Sequence, residues 1–460
     1  MAKVGCLAGR ITAAALVIAL VMTACGRGRP ASEPAKSPAR SASISELKVA
    51  IADPRSIEPF KASTRAGLFV VKQICDSLIG LEPATAALRP AIAESWALAP
   101  DAKKLTLNLR PGVRFHNGRE LVAEDYVYSL SRLVHPQAGS PQHYLLDKIA
   151  GYPEVRSGKS TTLAGVKASQ PLRLEIDLVE PYAEFPAVLS HPTMGAAVPK
   201  EEVDRSPESF AAKPACTGPY MVQSPGETGR DIRLTKFDDY YGKNEAFSRG
   251  GAGYAESITV RIAPDEAAAY EYLESGQVNV APVPTSALAE ARRVRGRVHS
   301  GPNGHVAYLG LPTKKAPYDN LTFRKALALS VDRNEIINGL LARSRQSPTG
   351  FLPSTAGPVA RESTCRETVP PRASESQAKQ ALSDSGIDSG MLKMNIYLNS
   401  GGGHERWLQE VINGWRTVLG IDATLKPSAW EPYVAFLAKP GADGPFRLAW
   451  SVRFPSPEAL

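Results

Sequence analysis

The chain has 460 residues, which is enough for two or three domains. Its 43% hydrophobic and 22% charged residues are ordinary for a globular protein. The formal net charge is +8, but more than half of this excess lies in residues 1–44, and the remaining chain is close to neutral. Because that remainder has no basic stripe interleaved with aromatic residues, composition and charge argue against a nucleic-acid-binding protein.

The first 24 residues have the pattern of an export signal. Lys3 and Arg10 precede the apolar run ITAAALVIALVM, which is too short for a comfortable bilayer crossing but suits the core of a signal peptide. The run ends in MTAC, which resembles the lipobox of bacterial lipoproteins, with Met22 where leucine is usual. We therefore predict a signal peptide over residues 1–24 and lipidation of Cys25. A plain secretory signal with a coincidental cysteine is the alternative.

A flexible tether is predicted to follow. Residues 26–44, GRGRPASEPAKSPARSASI, are rich in proline, serine, alanine and arginine and have almost no large apolar side chain. No later segment approaches the roughly 18 uninterrupted apolar residues that a membrane helix needs. We expect residues 25–44 to be a lipid-anchored tether. The rest of the chain would then lie outside the cell, held at the outer face of the cytoplasmic membrane.

Three cysteines remain in the exported part, Cys75, Cys216 and Cys365. An exported protein can form disulfides, but an odd number leaves either one pair with a free thiol or a partner beyond residue 460. The wide spacing of the three residues excludes a local metal-binding knuckle.

From residue 46 onward, hydrophobic residues alternate between a period of two and a period of 3.6. LTLNLR places Leu105, Leu107 and Leu109 on one face of a strand, and AEDYVYSLSRLV predicts an amphipathic helix. In the second half, Asp332 and Glu335 resemble a capping box that opens a helix over NEIINGLLA. Further strands are predicted at LRLEIDL, SITVRI, KMNIYL, ATLKP and FRLAWSV, and further helices at DEAAAYEYLESG, HERWLQEVINGWRTVLG and EPYVAFLA. This alternation predicts mixed α/β lobes rather than a helical bundle or a β-sandwich.

No catalytic signature occurs in the sequence. There is no G-x-S-x-G elbow, no G-x-x-x-x-G-K-[ST] phosphate loop, no H-E-x-x-H and no C-x-x-C. The seven histidines are scattered, and none is spaced as a local ligand pair on a helix. We therefore predict a protein that is not an enzyme and that has no metal site and no cofactor.

A glycine-rich turn, NSGGGHERW over residues 399–407, lies between a predicted strand and the N-terminus of a predicted helix. Free backbone N–H groups at such a turn can receive an anion. A tight turn with no ligand is the alternative.

Five ordered stretches carry a resemblance to one family. LRPAIAESWALAPDAKKLTLNLRPGVRFHNGRELVAEDYVYSLSRL, residues 88–133, resembles the characteristic region of the extracellular solute-binding proteins, family 5, of peptide and nickel ABC transporters. TGPYMVQ, FDDYYG, LESGQVNVAPVP and APYDNLTFRKALALSVDRNEII continue the resemblance in order. It covers roughly residues 45–460.

The resemblance implies an α/β fold of the two-lobed, periplasmic-binding-protein-like clamp (type II), with mixed sheets flanked by helices. It places a first lobe, with the family's extra subdomain, over residues 45–300 and a second lobe over residues 301–460, with the crossing near residues 296–305. A ligand between the lobes stabilises the closed form, which the membrane permease recognises. The resemblance thus implies a monomeric receptor of an ABC importer that captures oligopeptides or peptide-like solutes.

Ligand-binding residues are predicted in and near the C-terminal motif WSVRFPSP. Peptide-binding relatives have Trp-x-x-Asp here, where the aspartate meets the α-ammonium of the peptide and the tryptophan lines a side-chain pocket. Trp450 matches the tryptophan, whereas Arg453 stands in the place of the aspartate and reverses its charge. Arg447 matches an arginine that helps to hold the carboxylate end of the peptide in some oligopeptide-binding relatives. We expect Trp450, Arg453 and Arg447 at the ligand wall.

The charge reversal at Arg453 predicts a ligand that is not held by its free amine. An N-blocked or acidic peptide, a peptide-like metabolite or an anionic small molecule would fit. Alternatively, Arg453 points to solvent or pairs with a neighbouring acid, and another acid takes the ammonium.

In relatives the C-terminal motif is followed by further elements. We therefore expect the C-terminal part of the fold to be incomplete, with exposed apolar surface near Trp450 and Leu460. A lipoprotein of this fold that acts as a signalling receptor without transport is the alternative function. Nickel chelates, haem and oligosaccharides are alternative ligands, since the fold is shared among such receptors.

Overall fold

The structure is a computed structural model, and it describes residues 44–82, 85–225, 231–244, 253–294, 298–301, 304–347, 353, 372–400, 402–439, 441–451 and 454. The predicted signal peptide, the predicted lipidation site at Cys25 and the predicted tether up to residue 43 lie outside these residues, as do Cys365 and Arg453. Among the helices within the described ranges, none is both long and apolar enough to cross a membrane.

The strands within these ranges follow the predicted alternation. In chain order they are β1 (Ile44–Ile51), β2 (Ile79–Leu81), β3 (Leu88–Pro90), β4 (Ala93–Leu98), β5 (Lys104–Leu109), β6 (Val166–Gln170), β7 (Arg173–Asp177), β8 (Tyr220–Ser224), β9 (Ile232–Lys236), β10 (Ala255–Ile262), β11 (His305–Gly310), β12 (Lys393–Asn399), β13 (Asp422–Ser428) and β14 (Phe446–Ser451).

Helices separate most of these strands. The α-helices are α1 (Arg65–Ile74), α2 (Ala123–Val134), α3 (Tyr152–Arg156), α4 (Phe185–Val188), α5 (Lys200–Arg205), α6 (Pro207–Ala212), α7 (Glu266–Glu274), α8 (Leu288–Ala291), α9 (Leu321–Leu329), α10 (Arg333–Glu335), α11 (Glu375–Ser385), α12 (His404–Leu419) and α13 (Trp430–Leu437). Short 3-10 helices lie at Pro136–Ala138, His143–Leu146, Tyr241–Asn244 and Ser389–Met391, and a π-helix lies at Ile336–Leu340.

The main sheet of the first lobe has the strand order β1-β10-β9-β8. β1 runs parallel to β10, whereas β9 is antiparallel to both of its neighbours. Ile258 and Val260 of β10 pack with Ile232 and Leu234 of β9 in the large hydrophobic core of this lobe. Because side chains alternate along a strand, Arg261 lies on the opposite face of the sheet, where charged residues are tolerated.

A second sheet of the first lobe, β4-β5-β7-β6, is antiparallel throughout. As predicted, Leu105, Leu107 and Leu109 share its buried face, and each is at most 2% exposed. Helix α2 packs against β6 and β7, with Leu130 in the same core. The strand and the helix expected between residues 104 and 134 are therefore confirmed.

The sheet of the second lobe has the order β11-β14-β12-β13. β12 is parallel to β13 and β14, whereas β11 is antiparallel to β14. The amphipathic pattern of HERWLQEVINGWRTVLG forms α12, which buries Leu408, Val411, Ile412 and Trp415. Nε1 of Trp415 donates a hydrogen bond to the carbonyl oxygen of Leu327 at 3.0 Å, so the buried indole is satisfied.

The prediction of an α-helix over NEIINGLLA was partly wrong. Asp332 caps it as expected, because its side chain accepts a hydrogen bond from the backbone N–H of Glu335 at 2.8 Å. However, only α10 is α-helical, and the chain continues as the π-helix. The β-branched residues Ile336 and Ile337 and Gly339 lie in this π-helix, and such residues have low helix propensity.

A disulfide joins Cys75, the residue after α1, to Cys216, in the loop before β8. From the sequence alone, this pairing was one of several alternatives for the three cysteines. His116 lies beside it: Nδ1 accepts a hydrogen bond from the backbone N–H of Cys216 at 3.2 Å, and Nε2 lies 3.0 Å from the carbonyl oxygen of Gly218. Burial lowers the pKa of His116 to about 4, so the imidazole is neutral at pH 7.

The two larger hydrophobic cores among the described residues draw on different parts of the chain. The core of the second lobe contains buried residues between Tyr318 and Ile421, and the large core contains residues between Val49 and Val260. Phe454, three residues after the end of β14, is 3% exposed and packs in the large core. The chain therefore returns to the first lobe after β14. The lobe boundary at residue 300 stays a prediction.

Candidate functional site

Arg447 is the second residue of β14 and pairs with Leu309 of β11. Its side chain is only 9% exposed, and Nη1 donates a hydrogen bond to Oδ1 of Asn399 at 3.0 Å. The buried Nε has no hydrogen-bond partner within the described parts of the chain. Burial lowers the pKa of the guanidinium. An unpaired buried donor on a charged group costs free energy. A bound ligand could supply the acceptor that Nε lacks.

The backbone at Arg447 is fixed by a neighbouring helix. The hydroxyl of Tyr433, a buried residue of α13, donates a hydrogen bond to the carbonyl oxygen of Arg447. Asn399, the partner of the guanidinium, is the last residue of β12. Arg447 is thus held by two elements of the second lobe, which limits its movement when a ligand arrives.

His404 is the first residue of α12 and directly follows the glycine-rich turn. Gly403 before it has φ 65°, a left-handed conformation that favours glycine, and a Cβ on Gly402 would collide with the imidazole. Nε1 of Trp407 donates a hydrogen bond to Nδ1 of His404 at 3.4 Å. Burial, followed by the charge of Arg447, lowers the pKa of His404 to about 4. The turn therefore places a neutral imidazole where the charge of Arg447 acts on it.

His305 opens β11 beside the end of β14. Nδ1 of His305 and Oγ of Ser451 are 2.8 Å apart and share a hydrogen bond. Burial lowers the pKa of His305, and the charges of Arg65, Arg447 and Arg345 lower it further. Arg65 is the first residue of α1, so one of these charges comes from the first lobe.

We call Arg447, His404, His305, Arg345 and Arg65 the cationic cluster. Within the described ranges, Glu405 is the carboxylate that raises the pKa of His404, and burial and the cations outweigh it. Guanidinium groups bind carboxylate and phosphate by charge-assisted hydrogen bonds, and a helix N-terminus favours negative charge. The chemistry of the cluster is therefore that of an anion site.

The predicted site residues have different positions relative to this cluster. Arg447 belongs to it. Trp450 pairs with Val306, and because side chains alternate along β14, it lies on the face opposite to that of Arg447. Trp450 is 37% exposed, as expected for exposed apolar surface near this residue, whereas Leu460 and Arg453 lie outside the described residues. The ligand role of Arg447, Trp450 and Arg453 stays a prediction.

Sequence reasoning missed the two histidines of the cluster. They lie far apart in the chain and are brought together only because β11 pairs with β14 and α12 begins next to the end of β12. The one sequence signal was the turn NSGGGHERW, for which an anion at a helix N-terminus was one of two interpretations.

Two concave surfaces of the structure are lined by residues outside the cationic cluster. A cavity of about 270 Å³ on the charged face of the main sheet is lined in part by ion pairs, among them Arg261 with Asp231 at 3.3 Å. A second, of about 250 Å³, is lined mainly by Tyr397, Tyr433 and Phe436. Neither contains a residue of the cationic cluster. Within the described ranges no group of three or more His, Cys, Asp or Glu side chains could hold a metal ion.

The family model for bacterial extracellular solute-binding proteins, family 5 (middle), matches residues 87–459. The chain belongs to this family. The resemblance seen in the sequence is thereby confirmed, and the chain is a solute-binding protein rather than an enzyme.

Relatives and solved structures of the family are similar over most of the chain. The probable deoxycholate-binding periplasmic protein YgiS of Escherichia coli is 26% identical, over 83% of this chain and 71% of that protein. The dipeptide-binding protein of Escherichia coli is 25% identical, over 81% of this chain and 69% of that protein. The structure of Haemophilus influenzae OppA in complex with RPPGFSPFR has a TM-score of 0.67 and 21% identity, and covers 91% of this chain and 82% of that one. This likeness confirms the α/β fold of two lobes.

Proposed function

We propose that this chain is the monomeric substrate-binding receptor of an ABC importer. It captures oligopeptides or peptide-like solutes between its lobes and delivers them to the membrane permease. Membership of the family, together with relatives named for binding dipeptides and oligopeptides, supports this proposal. The signal-like N-terminus and MTAC support lipid anchoring through Cys25 at the outer face of the cytoplasmic membrane.

One observation carries the proposed ligand chemistry: Nε of the buried Arg447 has no partner among the described residues. The neutral amide of Asn399 satisfies Nη1 without neutralising the charge. A carboxylate at this place would accept from Nε and cancel the buried charge, which a water molecule cannot do. The ligand therefore presents an anionic group to the cationic cluster, as the carboxylate end of a peptide would.

The other residues of the cationic cluster also favour a negatively charged group on the ligand. Arg345 lowers the pKa of both His305 and His404, and Arg65 adds a charge from the first lobe. An α-ammonium next to these groups would meet like charges, so the amino end of a peptide lies away from them. Deoxycholate, the solute named for one relative, is also a carboxylate, so the same cluster suits an anionic solute that is not a peptide.

Anion binding also provides a reason for the lobes to close. Arg65 belongs to the first lobe, whereas Arg447 and His404 belong to the second. A ligand stabilises the arrangement in which it contacts more partners, and an anion attracts cations of both lobes only when they are close together. The bound form would then be the one that the permease accepts.

Isothermal titration calorimetry tests the proposal. The purified chain is titrated with di- to penta-alanine, with the N-acetyl form of each peptide and with its C-terminal amide. We expect the free and N-acetyl peptides to bind and the amides to bind at least about 30-fold more weakly, which corresponds to the roughly 2 kcal/mol lost when a buried charge loses its partner.

Two arginine variants give the matched comparison. Arg447→Leu should weaken binding of the N-acetyl peptide as much as amidation does. Arg416→Leu removes an exposed guanidinium from the same lobe, where it pairs with Asp422, and should bind like the wild type. Tight binding of the amides, or of the free-amine peptides alone, would contradict the proposed ligand chemistry.

A further inference from the structure

We propose that the cationic cluster takes up a proton when it binds an anion, and that His404 and His305 are the groups that accept it. This inference rests on the proposed function, since it concerns the same site. It adds that the net charge of the site is not fixed but changes with the charge of the ligand and with the pH outside the cell.

The first step is the arrangement of the two imidazoles. His404 begins α12 five residues after Asn399, which holds Nη1 of Arg447. His305 pairs with Ser451 and Leu309 pairs with Arg447, so His305 and Arg447 lie on the same face of the second sheet. The charges of Arg447 and Arg345 act on both imidazoles and that of Arg65 acts on His305, whereas Glu405 is the carboxylate that acts on His404 within the described ranges.

The second step is the protonation state without ligand. Because Nδ1 of His404 accepts a hydrogen bond from the indole of Trp407, its ring is the neutral tautomer with the proton on Nε2. A positive charge on this ring would be opposed by the N-terminus of α12 and by Arg447. The lowered pKa values of His404 and His305 agree with this geometry.

The third step is the effect of an anion. Burial is the larger cause that keeps the imidazoles neutral, and repulsion by the cations is the second. A carboxylate or phosphate that accepts from Nε of Arg447 offsets this repulsion, because an opposite charge nearby favours the charged form. His404 can then bind a proton from solvent at Nδ1, giving up the long hydrogen bond from Trp407. Both ring nitrogens would then be donors, and the site would gain one positive charge.

The sign of the pH dependence follows from linkage. Proton uptake occurs between the pKa of the ligand-free imidazole, about 4 for His404, and the higher pKa of the ligand-bound imidazole. Within that window, affinity for an anion rises as pH falls, by up to about tenfold per pH unit for each proton bound. A receptor whose site contained only arginines would show no such rise, since arginine stays protonated throughout.

Calorimetry in paired buffers measures the protons directly. The full purified chain is titrated at pH 5.5 with the N-acetyl alanine peptide that binds most tightly, in two buffers of different ionisation enthalpy. We expect uptake of between about half a proton and one proton per ligand, and affinity at least about twofold higher at pH 5.5 than at pH 7.5. The His404→Gln/His305→Gln double variant should show uptake near zero, whereas His135→Gln, outside the cluster, should behave as the wild type.

The outcomes separate this inference from the proposed function. Binding with no proton uptake, or uptake unchanged in the double variant, overturns the inference and leaves the proposed function in place. Failure of every peptide in the panel to bind overturns both. If the double variant does not fold, NMR titration of the histidine Cε1–H signals of the wild type provides the test. We expect the pKa values of two imidazoles to rise when peptide is added. Unchanged pKa values overturn the inference.

Discussion

Arg447 and Asn399 are joined by one hydrogen bond, from Nη1 to Oδ1 at 3.0 Å, across the parallel strands β14 and β12. The bond orients the guanidinium but leaves its charge uncompensated, because an amide oxygen carries only a partial charge. This combination of fixed position and unsatisfied charge makes the pair sensitive to a single change at residue 399.

Asn399→Asp should stabilise the protein and weaken ligand binding at the same time. The new carboxylate would pair with Arg447 and raise the free energy of unfolding by about 1.5–3 kcal/mol, the range for hydrogen bonds to charged groups. It would also occupy the acceptor role of the ligand and lower affinity for an N-acetyl alanine peptide at least tenfold. Urea denaturation and calorimetry measure the two effects.

Asn108→Asp is the control for this change, because it adds the same charge at an exposed position of β5. It should leave peptide affinity unchanged. If Asn399→Asp raised stability and left affinity unchanged, Arg447 would not face the ligand.

Acid should destabilise the first lobe through His116. Its folded pKa of about 4 lies below the ordinary value of 6.5, so the unfolded chain takes up the proton first as pH falls. The stability from the neutral imidazole is fully present above pH 6.5 and is lost between pH 6.5 and pH 4, at a cost of about 2 kcal/mol by pH 4.5.

Urea denaturation at pH 7 and pH 4.5 measures this cost. His116→Gln, which can keep a donor and an acceptor between Cys216 and Gly218, should lose less stability on acidification than the wild type. His135→Gln should lose as much as the wild type. An equal acid-induced loss in His116→Gln would refute the assignment.

The disulfide between Cys75 and Cys216 should contribute about 2–5 kcal/mol to the free energy of unfolding. It closes a loop with a sequence separation of 141 residues, and cross-links across long loops restrict the unfolded chain most. The Cys75→Ala/Cys216→Ala variant should unfold at lower urea concentration than the oxidised wild type. Thiol alkylation with mass spectrometry should find both residues protected in the wild type, and labelling of either one in the folded protein would contradict the pairing.

Trp415→Phe should destabilise the second lobe by about 1–3 kcal/mol. The substitution removes one hydrogen bond to the carbonyl oxygen of Leu327, which keeps a second donor in the hydroxyl of Ser330 at 3.0 Å, and it leaves a cavity where the larger indole was packed. Trp430→Phe is the matched control, because Trp430 is 50% exposed, and it should change stability by less than about 0.5 kcal/mol. Denaturation followed by intrinsic fluorescence distinguishes them, and equal effects would contradict the prediction.

Much of the fold could be predicted because its elements are locally periodic. The alternating leucines of β5 and the amphipathic pattern of α12 each specify a buried face without knowledge of the rest of the chain. The π-helix at Ile336–Leu340 could not be predicted, since weak helix formers show where a helix is unstable and do not show which geometry replaces it.

The site was only partly predictable, for a different physical reason. Arg447 was identified through the resemblance of its surroundings to relatives, whereas His305 has no local pattern that marks it and His404 has only the glycine-rich turn before it. Their shared property, a lowered pKa, arises first from burial and then from charges supplied by other elements of the fold. Such a property exists only after the strands have paired.

Phe454 gives the strand that carries Arg447 an attachment in each lobe. β14 is hydrogen-bonded within the second sheet, and three residues later Phe454 is packed in the large core of the first lobe. β11, which carries His305, begins where the chain enters the second sheet. The arginine thus belongs to a strand that is hydrogen-bonded in the second sheet and followed by an attachment in the other hydrophobic core. In the proposed function, the charged end of a solute would be held by this doubly attached strand, and solutes would be distinguished by the parts that extend away from it.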